Sequence, residues 1–146
     1  MDHVDPAAQR HVHWAHTPNG RGDSHDLRCH LEAVAQMAGD FASKFGAGEW
    51  GRIAGLWHDL GKYRQELQEM LHTVYGGGAK HRVDHSTAGA IHAARVVGAA
   101  LQSRPETHVV DFLQLLVTAT IAGHHAGLPE GPQELRVRLD GNSRAL

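Results

Sequence analysis

The stretch ETHVVDFLQLLVTATIAGHHAGLP, residues 106–129, decides the fold. Val109, Val110, Phe112, Leu113, Leu115, Leu116, Val117 and Ile121 cover most of the circumference of a helix over 106–122. A helix apolar on most sides belongs at the centre of a bundle. It is followed by Gly123, His124, His125, Ala126, Gly127, Leu128 and Pro129, which read as a tight loop.

Working outward, the other segments are helical too. Upstream, the sequence over 86–101 carries Gly89, Ala90, Ala93, Ala94, Gly98 and Ala99, small residues that let a neighbouring helix approach closely. From Asp26, residues Leu27, Leu31, Val34, Ala35, Ala38, Phe41, Ala42 and Phe45 recur at three- and four-residue steps. Asp26 or Ser24 is positioned to cap that helix and Gly46 to end it. A second helix is expected over 49–60, with Ile53, Ala54, Leu56 and Trp57 inward and Gly61 as its stop. A third is expected over 63–74, with Leu67, Met70 and Leu71 inward. No strand alternation of useful length and no internal repeat is seen. The expected architecture is therefore an all-α single domain. Residues 1–25 read as an irregular segment, 26–129 as the helical domain and 130–146 as a polar tail with at most a short helix over 133–139.

Composition excludes several classes of protein. The chain has 146 residues, 41% of them apolar and 21% charged, enough to bury a real core. No run of 18 apolar residues suggests a membrane span, and the N-terminus lacks the layout of a signal peptide. A single cysteine, Cys29, fits a reducing compartment and excludes thiolate structural zinc. The net charge of −2 argues against a generic polyanion binder. Phosphate-loop, dinucleotide and nucleophile-elbow signatures are absent. A thiol nucleophile at Cys29 with His30 as its base is disfavoured, because neighbours on a helix diverge.

Histidine is the unusual number: 14 in all. His3, His11, His13, His16 and His25 fall in the irregular N-terminal segment, where a solvated tract is the plain reading and a metal-binding tract the sharper one. Others flank segments that must pack inward: His30, His58-Asp59, His85 and His124-His125. Singly, each has a bland reading as a boundary histidine or a polar loop. Jointly they offer five imidazoles and a carboxylate able to converge. Buried imidazoles need partners, since an unpaired buried polar group costs about 1–3 kcal/mol. Metal ions satisfy that need, and imidazole with carboxylate suits Fe, Mn, Ni, Co, Cu or Zn. A carboxylate, with two oxygens, is able to bridge two cations.

Taken in order, WAHTPN at 14–19, His30 in HLEAVAQMA, GLWHDLGK at 55–62, His85-Ser86 in DHSTAGA and IAGHHAGLP at 121–129 resemble the HD superfamily of metal-dependent phosphohydrolases. More narrowly they resemble the HD nuclease domain of the CRISPR-associated type I helicase-nuclease. The resemblance runs from about Trp14 to Pro129. It implies a helical bundle with one or two divalent transition metals at its centre (Mn, Ni, Co or Fe, with Mg or Zn alternatives). It implies His58 and Asp59 as shared ligands with Asp59 bridging, His30 on the first metal, and His85, His124 and His125 on the second. Lys62 falls where the family keeps a lysine near the scissile phosphate, with Asp59 and Lys62 as the catalytic pair. Ser86 is expected to orient a ligand, touch phosphate or cap its helix. The implied partners are single-stranded DNA and a separate helicase subunit or a CRISPR surveillance complex, in the cytoplasm and without a membrane. The family continues past the His-His loop and supplies a late aspartate to the first metal. Here Glu134 or Asp140 is the candidate substitute, neither in a matching context, and no ATP-binding motif is present. The expectation is a stand-alone, truncated or degenerate domain in which the second metal site keeps its full ligand set.

The expected chemistry is metal-assisted phosphodiester hydrolysis, with water activated at neutral pH and paired ions about 3.5–4 Å apart on the attacking and leaving oxygens. Two alternatives share the same residues: an HD phosphohydrolase acting on nucleotides, and a catalytically inactive scaffold.

Overall fold

The computed structural model describes residues 12–81, 83–101 and 107–141. His3 and His11 lie outside them, as do Glu106 and the side chains of Val109 and Val110. The described chain is all-α apart from one small ribbon. Its elements are β1 (Trp14–His16), β2 (His25–Asp26), α1 (Leu27–Ser43), α2 (Gly48–Trp57), a 3₁₀ turn (Leu60–Tyr63), α3 (Gln65–Tyr75), α4 (Ser86–Leu101), α5 (Thr107–Gly123) and α6 (Pro132–Gly141).

The segment read as irregular contains order. β1 and β2 pair antiparallel, with Trp14 opposite Asp26 and His16 opposite His25. Three- and two-residue strands are too short to show period-two alternation. The connection is tied by Asn19, whose side-chain oxygen accepts from the backbone N–H groups of Arg21 (2.9 Å) and Asp23 (3.1 Å). The chain passes from β2 directly into α1, capped by the Asp26 carboxylate accepting from Cys29 N–H at 2.8 Å.

α1 packs on α2 through small residues. Leu27, Leu31, Ala35, Gly39 and Ala42 form its buried face. A Cβ at Gly55 would lie 2.7 Å from Ala35 Cα, so the two backbones approach too closely for larger side chains between them. Phe41 and Phe45, expected in the core, are instead 59% and 76% exposed, Phe41 off the small-residue face of α1 and Phe45 in the turn beyond its end. Leu56 is likewise turned outward, against expectation. α2 also stops short of the expected Leu60. His58 is its C-cap, and Asp59 leaves helical geometry at φ −111°, ψ 17°. The 3₁₀ turn follows, and α3 begins only at Gln65, after the extended Arg64.

The main core joins α4, α5 and α6: Ala90, Ala93, Val117, Ile121, Ala122 and Leu135, with Trp50, Ile53, Ala54 and Trp57 of α2 packed against it. α5 is buried along Val117, Thr118, Ile121 and Ala122, but Phe112 and Leu116 are exposed. The expectation of a helix covered on most sides thus holds for one face only, because no described element lies over Phe112 and Leu116. The stretch read as a polar tail forms α6, and Leu135 fixes it into the core. A second cluster, Ala15, Leu27 and Leu31, seats the ribbon on α1.

Candidate metal centre

The centre is built around the break after α2. Gly61 lies against the backbone of His85, where a Cβ would come within 2.2 Å of the His85 carbonyl oxygen. A Cβ at Gly89 would come within 2.0 Å of the Trp57 carbonyl oxygen. The two glycines let the N-terminal end of α4 sit directly on residues 57–61. Gly61, read from sequence as a helix stop, is therefore a buried close-contact position inside the 3₁₀ turn.

Asp59 occupies the middle, 2% exposed. Its Oδ2 lies 2.6 Å from Lys62 Nζ, 3.2 Å from His58 Nε2 and 3.3 Å from His30 Nε2. Its Oδ1 lies 3.3 Å from His124 Nε2 and 3.4 Å from His85 Nε2. Four imidazoles from α1, the α2 cap, the entrance to α4 and the turn after α5 thus converge on one carboxylate. His125 completes a group with Asp59, His85 and His124, whose ligand atoms all lie within 4.8 Å of one another; His30, His58 and Asp59 form a second such group.

The far side of each ring fixes its role. His58 Nδ1 donates to the Gly55 carbonyl and His124 Nδ1 to the Ile121 carbonyl, both at 2.7 Å; His85 Nδ1 faces the Val83 carbonyl at 3.3 Å. A neutral imidazole that donates through Nδ1 presents a lone pair at Nε2. Each Nε2 faces an Asp59 oxygen, a contact that is a hydrogen bond when the ring carries a second proton and acceptor against acceptor when it does not. Acceptors face each other stably only with a proton or a cation between them. His85 Nε2 is the sharpest instance: it is buried, 3.4 Å from Asp59 Oδ1, and has no hydrogen-bond partner. Backbone carbonyls orienting ligand histidines are the usual outer support of a metal site. The buried carboxylate and its ring of imidazoles can hold a metal ion.

Protonation follows the same geometry. Burial opposes ionisation of Asp59, but hydrogen bonds from His124, His58 and Lys62 outweigh it and hold the carboxyl far below its ordinary range. Burial lowers His85, His30 and His125 despite the attraction of Asp59. At His58 burial is overcome by the hydrogen bond and charge of Asp59, and its value rises.

Lys62 is 7% exposed, paired to Asp59, and also lines a cleft beside the centre. It is not the solvated lysine that a position after a helix suggests. Ser86 is buried and lines the cleft as well. Capping of α4 falls to Asp84, which accepts from the backbone N–H groups of Ser86 and Thr87 and from both hydroxyls. Glu134 is engaged by Arg138 and the Glu130 N–H, and neither Glu134 nor Asp140 belongs to a ligand group among the described residues. Sequence reasoning missed Asp84, although an Asp two residues before the first helical position is a capping signal. It also missed Gln68, which is buried and joins β1 to the 3₁₀ turn through Trp14 N–H (2.8 Å), Trp14 C=O (3.0 Å) and Lys62 C=O (2.7 Å).

No family model matches this chain, and no curated protein matches it.

Proposed function

We propose that the chain is a metal-dependent phosphodiesterase that hydrolyses single-stranded DNA. The observation that carries this reading is the buried Asp59 carboxylate faced by the Nε2 atoms of His30, His58, His85 and His124. On this reading His85, His124, His125 and Asp59 hold one cation, and His30, His58 and Asp59 hold the other. A divalent ion bound there supplies Lewis-acid charge and activates water for attack on phosphorus. Asp59, kept ionised by its neighbours, draws cationic charge to the centre. The Nδ1 bonds of His58 and His124 to backbone carbonyls keep their rings from rotating away. Lys62 stands at the junction of centre and cleft, where its ammonium binds and orients a phosphate oxygen. Ser86 lines the same wall.

The substrate class is supported by the cleft. It has a volume of about 660 Å³, and besides Lys62 and Ser86 its lining includes His16, Lys80, His81 and His125. Lys80 adds positive charge on the cleft wall, next to the Lys62–Asp59 pair, and cations held at the centre would supply the rest that a polyanion needs despite a net charge of −2. The sequence resemblance to HD nucleases supports the same reading, and with it a cytoplasmic enzyme working with a separate helicase subunit or a CRISPR surveillance complex. No described helix is long and apolar enough to cross a membrane. The cleft volume also lies in the range of small-molecule sites, which favours nucleotide hydrolysis as the second reading.

The test is elemental analysis of the purified chain, followed by cleavage of circular single-stranded DNA with Mn²⁺, Ni²⁺, Co²⁺, Mg²⁺ or Zn²⁺, with nucleoside monophosphates in parallel. Cleavage of DNA that Asp59→Ala abolishes is the expected result. Full activity in Asp59→Ala overturns the assignment of the centre. Turnover of nucleotides alone selects the second reading. A folded protein inert with every ion is a binding module instead.

A further inference from the structure

A third group of ligands lies outside the centre. His16 and His25 are directly opposite each other across the β1–β2 ribbon, with ring centroids 5.9 Å apart. His30, in the first turns of α1, stands 5.3 Å from each of them. One nitrogen from each ring lies within 4.8 Å of the others. Neither the His16 nor the His25 ring makes a hydrogen bond to another described residue. His30 meets both other rings edge to face, while His16 and His25 are tilted by 35° to one another.

We propose that His16, His25 and His30 form a separate, all-imidazole metal site at the ribbon. The residues are brought together by backbone, not by chance of side-chain reach. The register sets His16 against His25, and the capped junction at Asp26 turns α1 so that His30 returns beside them. His16 and His25 are both exposed, so their rings are free to close the remaining distance to a common ion. Three nitrogen donors match zinc sites that keep a fourth position open for water or another ligand. With no carboxylate in the set, the site selects borderline ions such as Zn²⁺, Cu²⁺, Ni²⁺ or Co²⁺ over Mn²⁺ and Mg²⁺. His16 also lines the cleft beside the centre, so an ion here adds positive charge to its wall.

The site shares His30 with the central group, and because one neutral imidazole ligates one ion, His30 serves the ribbon ion only while it is not on a central one; His16 and His25 belong to the ribbon site alone, and the site does not require the proposed activity. The experiment is equilibrium dialysis of the full chain against Zn²⁺, with elemental analysis, for the unaltered protein, the His16→Ala/His25→Ala pair and Asp59→Asn. The expected result is loss of one zinc equivalent in the double variant, with that equivalent retained in Asp59→Asn. Helix content by circular dichroism should be unchanged in the double variant, because both positions are exposed. Equal zinc stoichiometry and affinity in the unaltered and double-variant proteins overturns the proposal. Loss of the same equivalent in Asp59→Asn also overturns it, by assigning these histidines to the central site. Dialysis against Mn²⁺ is expected to show no equivalent that depends on His16 and His25, and finding one overturns the ion class.

Discussion

Gly61→Ala tests how the centre is assembled. A Cβ at position 61 would stand 2.2 Å from the His85 carbonyl oxygen, 2.6 Å from its Cα and 2.7 Å from its carbonyl carbon. All three are backbone atoms, so no side-chain rotation relieves the contact. Reaching ordinary van der Waals separation requires a displacement of roughly 1 Å between the 3₁₀ turn and the entrance to α4, an overpacking strain that costs about 1–3 kcal/mol. For a domain of this size that lowers Tm by roughly 2–10 °C. The same displacement carries His85 away from Asp59 and misorients a proposed ligand. Losses from misoriented ligands are on the order of 10–100-fold in metal affinity. The assays are thermal denaturation and competition of Zn²⁺ against a chromophoric chelator. Gly20→Ala is the control, since a Cβ there meets nothing within 4 Å. If Gly61→Ala melts and binds zinc as Gly20→Ala does, the close approach does not position His85 and the argument fails.

Gln68→Ala removes the amide that joins Trp14 to Lys62 and strands buried backbone groups; a loss of about 1–3 kcal/mol in urea denaturation is expected, and a loss under about 0.5 kcal/mol would show the ribbon to be held elsewhere. Leu135→Ala should cost about 2–5 kcal/mol, because α6 belongs to the core; a near-neutral effect would return it to the status of a tail. The metal-free protein should lose stability on acidification from pH 7.5 to 5. His85, His30 and His125 have values lowered by burial, so the unfolded chain takes up more protons as pH falls through about 6.5. His58, raised by Asp59, gives the opposite contribution, present below about 6.5 and lost as pH rises through its folded value, and it offsets part of the loss that His85, His30, His125 and the likewise lowered His16 give. Stability that rises over this window in thermal melts would contradict that balance. Divalent ions should raise Tm in the unaltered protein, by linkage of about 4 kcal/mol at a thousand-fold excess over Kd, and much less in Asp59→Asn; equal shifts in the two would place binding outside the centre.

What was legible in the sequence divides along physical lines. Helical periodicity and capping are local, and α1, α4 and α5 fall close to where the apolar spacing puts them. His30, His58, Asp59, His85 and His124 were recognisable because each flanks a segment that must be buried, where an imidazole needs a partner. The rest depends on tertiary contact. Whether Phe41 or Ala42 faces α2 is decided by glycines on the opposite helix, far away in sequence. Lys62 is singled out in the sequence by the resemblance alone, and its pairing with Asp59 shows only when the 3₁₀ turn folds it back. His16 and His25 look like members of a ragged tract because their meeting depends on one strand register. Phe112 and Leu116 fit a buried pattern, yet no described element covers them.

The break at Asp59 is the step that joins fold to chemistry. Had α2 continued to Leu60, successive side chains would have pointed about 100° apart around one axis, and the carboxylate would have presented mainly to one flank. Leaving the helix at φ −111° instead places Asp59 in the middle of the bundle, with its two oxygens turned to different partners. Oδ2 takes His30, His58 and Lys62; Oδ1 takes His85 and His124. That division is what lets one carboxylate serve two groups of ligands. It also explains why the neighbouring positions are so restricted. His58 must cap α2 to turn its ring inward. Gly61 must be small for His85 to arrive. Lys62 must return to Asp59 so that a buried negative charge is balanced. The motif WHDLGK is therefore a single geometric device, in which His58, Gly61 and Lys62 have places set by the one carboxylate between them.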